Sequence, residues 1–273
     1  MTASELQPDQ QSARWDDHVL VYEQVFEPFT NEFAQPAIAA LRAAPGSRVL
    51  DVGAGAGGVA LMLAERGLAP TAIDASAAMV ARIAERARAQ NRSIDAEVMD
   101  GQALRFPDAT FDAALSVFGV VLFPDAVRGL AEMRRVVRPG GLVAVVTWTE
   151  PQRYELAAEL RQAIQAACPD LPASSLPAQL RYREAEDFRC LFRDAGLGDP
   201  AIETVTATLA APSARWLADR LAFAPGMAAT LDALGNHRAA VLATFAAKLE
   251  AKQGFGAVRL AGAAFVGYAT VAK

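Results

Sequence analysis

The sequence predicts an α/β protein built on an open, largely parallel sheet. Three observations carry that prediction. From Arg48 to Trp148 short apolar runs alternate with amphipathic stretches, the pattern of strands joined by crossover helices. The first run, Val49-Leu50-Asp51-Val52, ends in the glycine-dense turn Gly53-Ala54-Gly55-Ala56-Gly57-Gly58, and helix-forming residues follow at once. The chain has 273 residues, 53% of them hydrophobic and 21% charged, which suffices to fill one large core.

Each element follows from local signals. Residues 1–11 are polar and read as an unstructured tail. Residues 12–44 read as a helical cap: Trp15, Val19, Tyr22, Phe26, Phe29, Phe33 and Ile38 recur at helical spacing, and Pro28 and Pro36 divide the segment into two or three short helices. Pro45-Gly46 ends it. The core, residues 45–150, begins with a strand over Arg48–Val52 and a helix over Gly57–Arg66 that Gly67 stops. A strand at Pro70–Asp74 precedes a helix that Ser76 caps and that runs to about Gln90. Strands at Ile94–Met99 and Phe111–Val117, a helix at Asp125–Val137 and a strand at Leu142–Trp148 complete this part, with Pro139-Gly140-Gly141 as the helix stop. Residues 151–273 read as completing the sheet with inserted cap helices, so that the whole is one domain. The pattern gives a helix at Tyr154–Ala167, a loop at Cys168–Pro177, a helix at Glu184–Ala195 and a strand at Ala201–Leu209. Helical stretches follow around Ala214–Leu221, Met227–Leu234 and Arg238–Gln253, and a last strand covers Val258–Val271.

Composition narrows the partners. A net charge of −5 argues against nucleic acid, which needs a basic face. Arg82, Arg86, Arg88 and Arg92, with Glu85 among them, read as the solvated face of a helix. Cys168 and Cys190 are too far apart for a C-x-x-C pair and read as partly buried helix positions in a reducing compartment. The N-terminus lacks an apolar signal region and no apolar run reaches membrane-spanning length, so the expected location is the cytoplasm. No cluster of metal-ligating residues stands out.

Gly53, Gly55 and Gly58 satisfy G-x-G-x-x-G, a pattern that on its own fits several nucleotide-like cofactors. Asp74, at the end of the second strand, is placed to accept both hydroxyls of a ribose, or else to cap the next helix. At this point a nicotinamide dinucleotide and S-adenosylmethionine (SAM) both remain open. Two further acids separate them. Asp51 sits within the motif, where a carboxylate repels a pyrophosphate and suits a cofactor bearing an ammonium and a sulfonium. Asp100-Gly101-Gln102 follows the third strand, where a carboxylate can accept from an adenine amino group.

With these residues in view, the sequence resembles the class I SAM-dependent methyltransferases of the small-molecule, ubiquinone/menaquinone-methyltransferase-like group. The resemblance rests on VLDVGAGAGGVA, AIDASAAMV, VMDGQALRFPDATFDAALSVFGVVLF and MRRVVRPGGLVAVVTW, in that order within residues 46–148. It implies a Rossmann-like sheet of seven strands in the order 3-2-1-4-5-7-6, the seventh antiparallel. It also implies roles. Asp51 would hold the amino-acid end of SAM, with Gly53, Gly55 and Gly57 letting the backbone approach it. Asp74 would take the ribose hydroxyls, and Ala75 and Met79 would line the adenine faces. Asp100 would bind the adenine amino group with Gly101 and Gln102 beside it. Ser116, Val117 and Phe118 would face the methionine part, and Tyr22 would lie over the cofactor on an N-terminal helix. Met79 on an apolar helix face serves core packing nearly as well, Phe118 also has a core reading, and Gly101 also has a turn reading.

The activity this implies is methyl transfer to a small, largely apolar or aromatic acceptor at O, N or C. The aromatics Trp15, Tyr22, Phe26, Phe29, Phe33, Trp148, Tyr154, Trp216 and Phe223 would line the acceptor pocket or join the cap to the sheet. Of the two histidines, His18 lies one turn before Tyr22 and is the candidate base; a surface or structural role is its alternative. His237 reads as a surface or capping residue. Two other functions stay open: a SAM-binding protein that does not methylate, and a nicotinamide-dependent oxidoreductase, against which Asp51 and Asp100 both argue.

Overall fold

The computed structural model describes residues 6–171 and 177–272. In chain order the elements are α1 Ser12–Trp15, α2 Val19–Val25, α3 Glu27–Ala40, β1 Arg48–Val52, α4 Gly58–Glu65, β2 Ala69–Asp74, α5 Ala77–Ala89, β3 Asp95–Val98 and β4 Phe111–Val117. Then come α6 Ala126–Val136, β5 Val137–Trp148, α7 Glu155–Ala167, α8 Ala185–Asp194, β6 Ala201–Ala211, α9 Ala214–Ala218, α10 Pro225–Ala233, α11 Arg238–Gln253 and β7 Val258–Thr270.

The seven strands form one sheet in the order β3-β2-β1-β4-β5-β7-β6. The first five pair in parallel, and β7 runs antiparallel to both β5 and β6. Alternate side chains of each central strand enter opposite cores, as the two-residue period requires. Val49, Leu115 and Val146 pack with α3, α7 and α11, while Leu50, Val52, Ala114 and Val145 pack with α6 and α8. Between β1 and β4 the strand order reverses, and open α/β sheets hold ligands in the crevice at such a point.

Three local readings of the sequence need correction. The polar tail expected over residues 1–11 is docked from Leu6 onward: Pro8–Gln10 form a 3-10 turn, and Asp9 Oδ1 accepts the Gly226 N–H at 2.6 Å. Residues 1–5 lie outside the described ones. In the cap, Pro28 occupies the first turn of α3 and Pro36 lies inside it, so neither divides the segment. A proline in the first turn gives up an N–H that would have no helical partner. The missing bond at Pro36 is offset by burial of Phe29, Phe33, Ala34, Ala37 and Ile38 against the sheet. Finally, Pro139-Gly140-Gly141 does not separate helix from strand. β5 begins at Val137, pairs with Phe111, and re-registers across an irregularity before Leu142 meets Ala113. Of the loop expected at Cys168–Pro177, residues 172–176 lie outside the described ones. No helix among the described residues is long and apolar enough to cross a membrane.

Candidate functional site

The crevice between β1 and β4 is shaped by the glycine turn. Gly53 and Ala54 both donate their N–H to Ile73 O at 2.9 Å, which folds the turn back over the end of β2. Gly53 has φ +70°, and a Cβ there would sit 2.9 Å from the Gly119 Cα in the turn after β4. Only glycine combines the left-handed backbone with that approach. Gly57, at φ +91°, opens α4, and its open side is filled by Ile83. Gly55 lies under the ring of Tyr22.

Asp74 is tied to this turn. Its Oδ2 accepts the Gly55 N–H and its Oδ1 the Ser76 N–H, both at 2.9 Å. Burial pushes its pKa up, and the N–H groups of Ser76, Gly55 and Ala75 oppose that shift. These bonds hold the carboxylate in place without exhausting its acceptor capacity. The helix-capping alternative for this position is filled by Ser76, whose Oγ accepts from Met79 N at 3.1 Å.

Asp51, on β1, is 1% exposed, and its Oδ2 has no hydrogen-bond partner. It faces a small cavity that Tyr22, Glu27, Thr30, Asn31 and Val117 also line. Burial first, then Asp74 and Glu27, push the Asp51 carboxyl up to about 8. The folded protein therefore binds a proton that the unfolded chain releases near the ordinary carboxylate range. Stability is then expected to fall as pH rises from about 4 towards 8. Thermal midpoints measured across that range should decline, and Asp51→Asn should flatten the decline; an equal slope in the variant would refute the assignment.

Asp100 follows β3 and is exposed. Its Oδ1 accepts from Gln102 N at 2.8 Å and from Gln102 Nε2 at 3.0 Å, and Gln102 Oε1 accepts from Asp125 N at 2.9 Å. Gly101 is buried, and a Cβ there would strike the Phe123 ring, so its turn reading has a packing reason. The carboxylates of Asp51, Asp74 and Asp100 thus stand at or just past the same ends of three neighbouring strands.

Comparison with known proteins agrees with this geometry. Residues 49–141 match the family model described as a methyltransferase domain. Over these residues the chain carries a methyltransferase domain. It is 34% identical to an uncharacterised protein of Mycobacterium tuberculosis over 61% of this chain and 60% of that protein. A demethylmenaquinone methyltransferase of Renibacterium salmoninarum is 34% identical over 53% of this chain and 61% of its own length. The matched part spans about 60% of these curated relatives. Among solved structures, the YcgJ protein of Bacillus subtilis superposes with a TM-score of 0.59 at 16% identity, covering 89% of this chain and 99% of that one. The cyclase SpnF superposes with a TM-score of 0.53 at 24% identity, covering 89% and 81%.

The structure distributes the remaining candidates of the methyltransferase domain unevenly around the crevice. Val117 reaches the cavity beside Asp51. Ser116 does not offer its hydroxyl there: the side chain is fully buried, donates to Val52 O at 2.7 Å and accepts from Val120 N at 2.8 Å. It is a brace between β1 and the turn after β4. Phe118 has φ +60°, and its ring stacks on Trp148 at 4.1 Å. Met79 is buried beside Val19 and Ala56, between the cap and the turn, whereas Ala75 is exposed.

The aromatic residues expected at an acceptor pocket mostly pack on one another. Phe26, Phe29, Phe33, Trp148, Tyr154 and Phe223 are all buried, with Trp148 stacked on Tyr154 at 4.7 Å and Phe26 on Phe223 at 4.4 Å. Each buried ring contributes roughly 2 kcal/mol from area alone. This cluster joins the cap to the sheet, and Trp216 lies at its margin beneath the Arg220 guanidinium. His18 is half-buried, with Nδ1 at 2.9 Å from Ala222 O. A carbonyl only accepts, so Nδ1 carries the hydrogen and Nε2 of the neutral ring keeps a free lone pair.

Sequence reasoning missed residues that come from the cap. Asp16 accepts from Ser76 Oγ at 2.5 Å and from Ala78 N at 3.2 Å, closing the cap over the start of α5. Arg82 and Arg86 are not on a solvated face. Arg82 pairs with Glu23 at 2.6 Å, and Arg86, with its side chain 16% exposed, pairs with Glu27 at 2.7 Å. The signal was present as acids at i, i+4 in one segment and arginines at i, i+4 in another, but nothing local joins them.

Proposed function

We propose that this protein transfers a methyl group from SAM to a small, largely apolar or aromatic acceptor. The observation that carries the reading is the row of carboxylates Asp51, Asp74 and Asp100 around a glycine turn, at the strand ends where the sheet reverses. The donor set fits the cofactor part by part. The unpartnered Asp51 Oδ2 suits the ammonium end, Asp74 the ribose hydroxyls, and Asp100 with Gly101 and Gln102 the adenine edge. Gly53, Gly55 and Gly57 bring the backbone close, Ala75 flanks the base, Met79 takes its core reading instead, and Tyr22, Val117 and Phe118 border the methionine part. Ser116 acts by holding that border in place.

The sulfonium of bound SAM makes its methyl group electrophilic. What the protein adds is alignment and exclusion of water, which the cap over the crevice supports. Incubation with methyl-labelled SAM and a metabolite extract tests the activity; label in a small-molecule product is expected, and binding without transfer would refute it. That second outcome defines the competing reading, a SAM-binding protein with other chemistry. It is favoured by one observation: the aromatic rings beside the crevice are buried and stacked on one another, Trp148 on Tyr154 and Phe26 on Phe223. The likeness to a cyclase shows that the fold is shared with other chemistry.

For a hydroxyl or protonated-amine acceptor, we assign the proton to His18 Nε2. With the acceptor in hand, His18→Gln should lower kcat about a hundredfold while leaving SAM affinity intact. An unchanged kcat would exclude His18 as the base, and a loss of SAM affinity alone would make it a packing residue.

A further inference from the structure

The acid that the sequence did not mark is Glu27. It lies in the first turn of α3, is 4% exposed, and borders the same cavity as Asp51. Its Oε1 accepts the Gly58 N–H at 3.0 Å, so a side chain of the cap reaches the first residue of α4, directly behind the glycine turn. Both of its oxygens also accept from Arg86 Nη1, at 2.9 and 2.7 Å, and Arg86 donates as well to Ala56 O at 2.7 Å.

The charge balance around the cavity suits a cationic ligand group. Arg86 faces two acids, Glu27 and Glu23, and Arg82 faces Glu23 and Glu85. Among the described residues Asp51 has no basic partner, although its Oδ2 is buried and unpaired on the cavity wall. A buried carboxylate oxygen without a donor is costly, and a second acid beside it raises that cost. An N–H-bearing cation placed between the two would pair the Asp51 oxygen and offset the repulsion between the acids, while Glu27 keeps its bonds to Arg86 and Gly58. Donors from a primary ammonium are compact and three in number, which suits two carboxylates and a nearby hydroxyl such as that of Thr30.

We propose that Glu27 joins Asp51 in holding the ammonium group at the amino-acid end of SAM, so that the cap helix is fastened directly to the cofactor it covers. This rests on the reading of the crevice as a SAM site. Glu27 is then a binding residue, and its bonds to Gly58 and Arg86 set its position.

The test compares two ligands that share the adenosine part. S-adenosylhomocysteine keeps the amino-acid end, and 5′-methylthioadenosine lacks it. Titration calorimetry on the full chain should show that Glu27→Gln weakens S-adenosylhomocysteine roughly tenfold or more, since hydrogen bonds to charged groups are lost. The affinity for 5′-methylthioadenosine should stay within about twofold of the unmodified protein's, because its contacts do not involve the ammonium site. Equal weakening of both ligands would show that Glu27 acts only through the fold, and no change in either would remove it from the site; each result overturns the proposal. If the unmodified protein binds neither ligand, the cofactor reading itself fails, and the proposal with it. Should the glutamine variant not fold, Glu27→Asp keeps the charge and withdraws it by one methylene. The same selective loss of S-adenosylhomocysteine is expected there, and its absence counts against the proposal.

Discussion

Replacing Asp74 with alanine is expected to weaken SAM binding about a thousandfold. Two effects add. As proposed, the carboxylate accepts both ribose hydroxyls, and charge-assisted hydrogen bonds of this kind are worth about 1.5–3 kcal/mol each. Two of them come to about 4 kcal/mol, or roughly three powers of ten in affinity. Asp74 also holds the glycine turn through the Gly55 N–H, so alanine leaves that donor without its partner and loosens the loop that the cofactor must meet. Asparagine keeps the shape and one acceptor oxygen, and should fall between alanine and the native residue. Calorimetric titration with SAM measures both variants. An alanine variant that binds within about threefold of the native affinity would refute the ribose assignment, since even one lost charge-assisted bond exceeds that.

The second large effect is on stability. Gly53→Ala should destabilise the fold by about 3 kcal/mol or more. A left-handed φ costs an L-residue roughly 1–2 kcal/mol, and overpacking against an unyielding neighbour adds about 1–3 kcal/mol. The neighbour here is backbone: the new Cβ would lie 2.9 Å from the Gly119 Cα, and both turns are tied to strand ends. In a chain of this size the thermal midpoint should drop by roughly 6–12 °C. Gly198→Ala is the matched comparison. Gly198 also has positive φ, +74°, but nothing lies within 4 Å of a Cβ there, so only the backbone cost applies. Thermal scans of the two variants should differ by the clash alone. Equal midpoints would mean that the close approach of the two turns is not a constraint.

Much of the architecture was legible in the order of residues because its causes are local. The alternation that gives β1 to β5 is a two-residue period against a helical one, and both act within a few positions. Gly53 and Gly57 were readable because a left-handed turn between strand and helix admits little else. The position of Asp74 was readable because it closes an apolar run at the end of β2. Where local rules misled, a packing contact overrode them. Pro36 stays inside α3 because the helix is held by its buried face, and Asp9 is ordered because Gly226 offers it an N–H across the fold.

Within the site the same division holds. The glycine turn and the three strand-end acids are each announced by their neighbours in the chain. The partners that give them meaning are not. Glu27 meets Arg86 only because the cap crosses α5, and Ser116 braces Val52 only because β4 lies beside β1. The aromatic residues gave no hint of whether they wall a pocket or fill a core, since a ring has the same periodicity in either role; stacking on Trp148 decides it. Backbone preference and strand polarity depend on residues a few positions apart, and so the chain alone sets the sheet, its turn and the kind of cofactor they suit. Charge pairing, burial and the left-over valence of Asp51 depend on which segments cross in space, and only the folded protein could place Glu27 beside that acid.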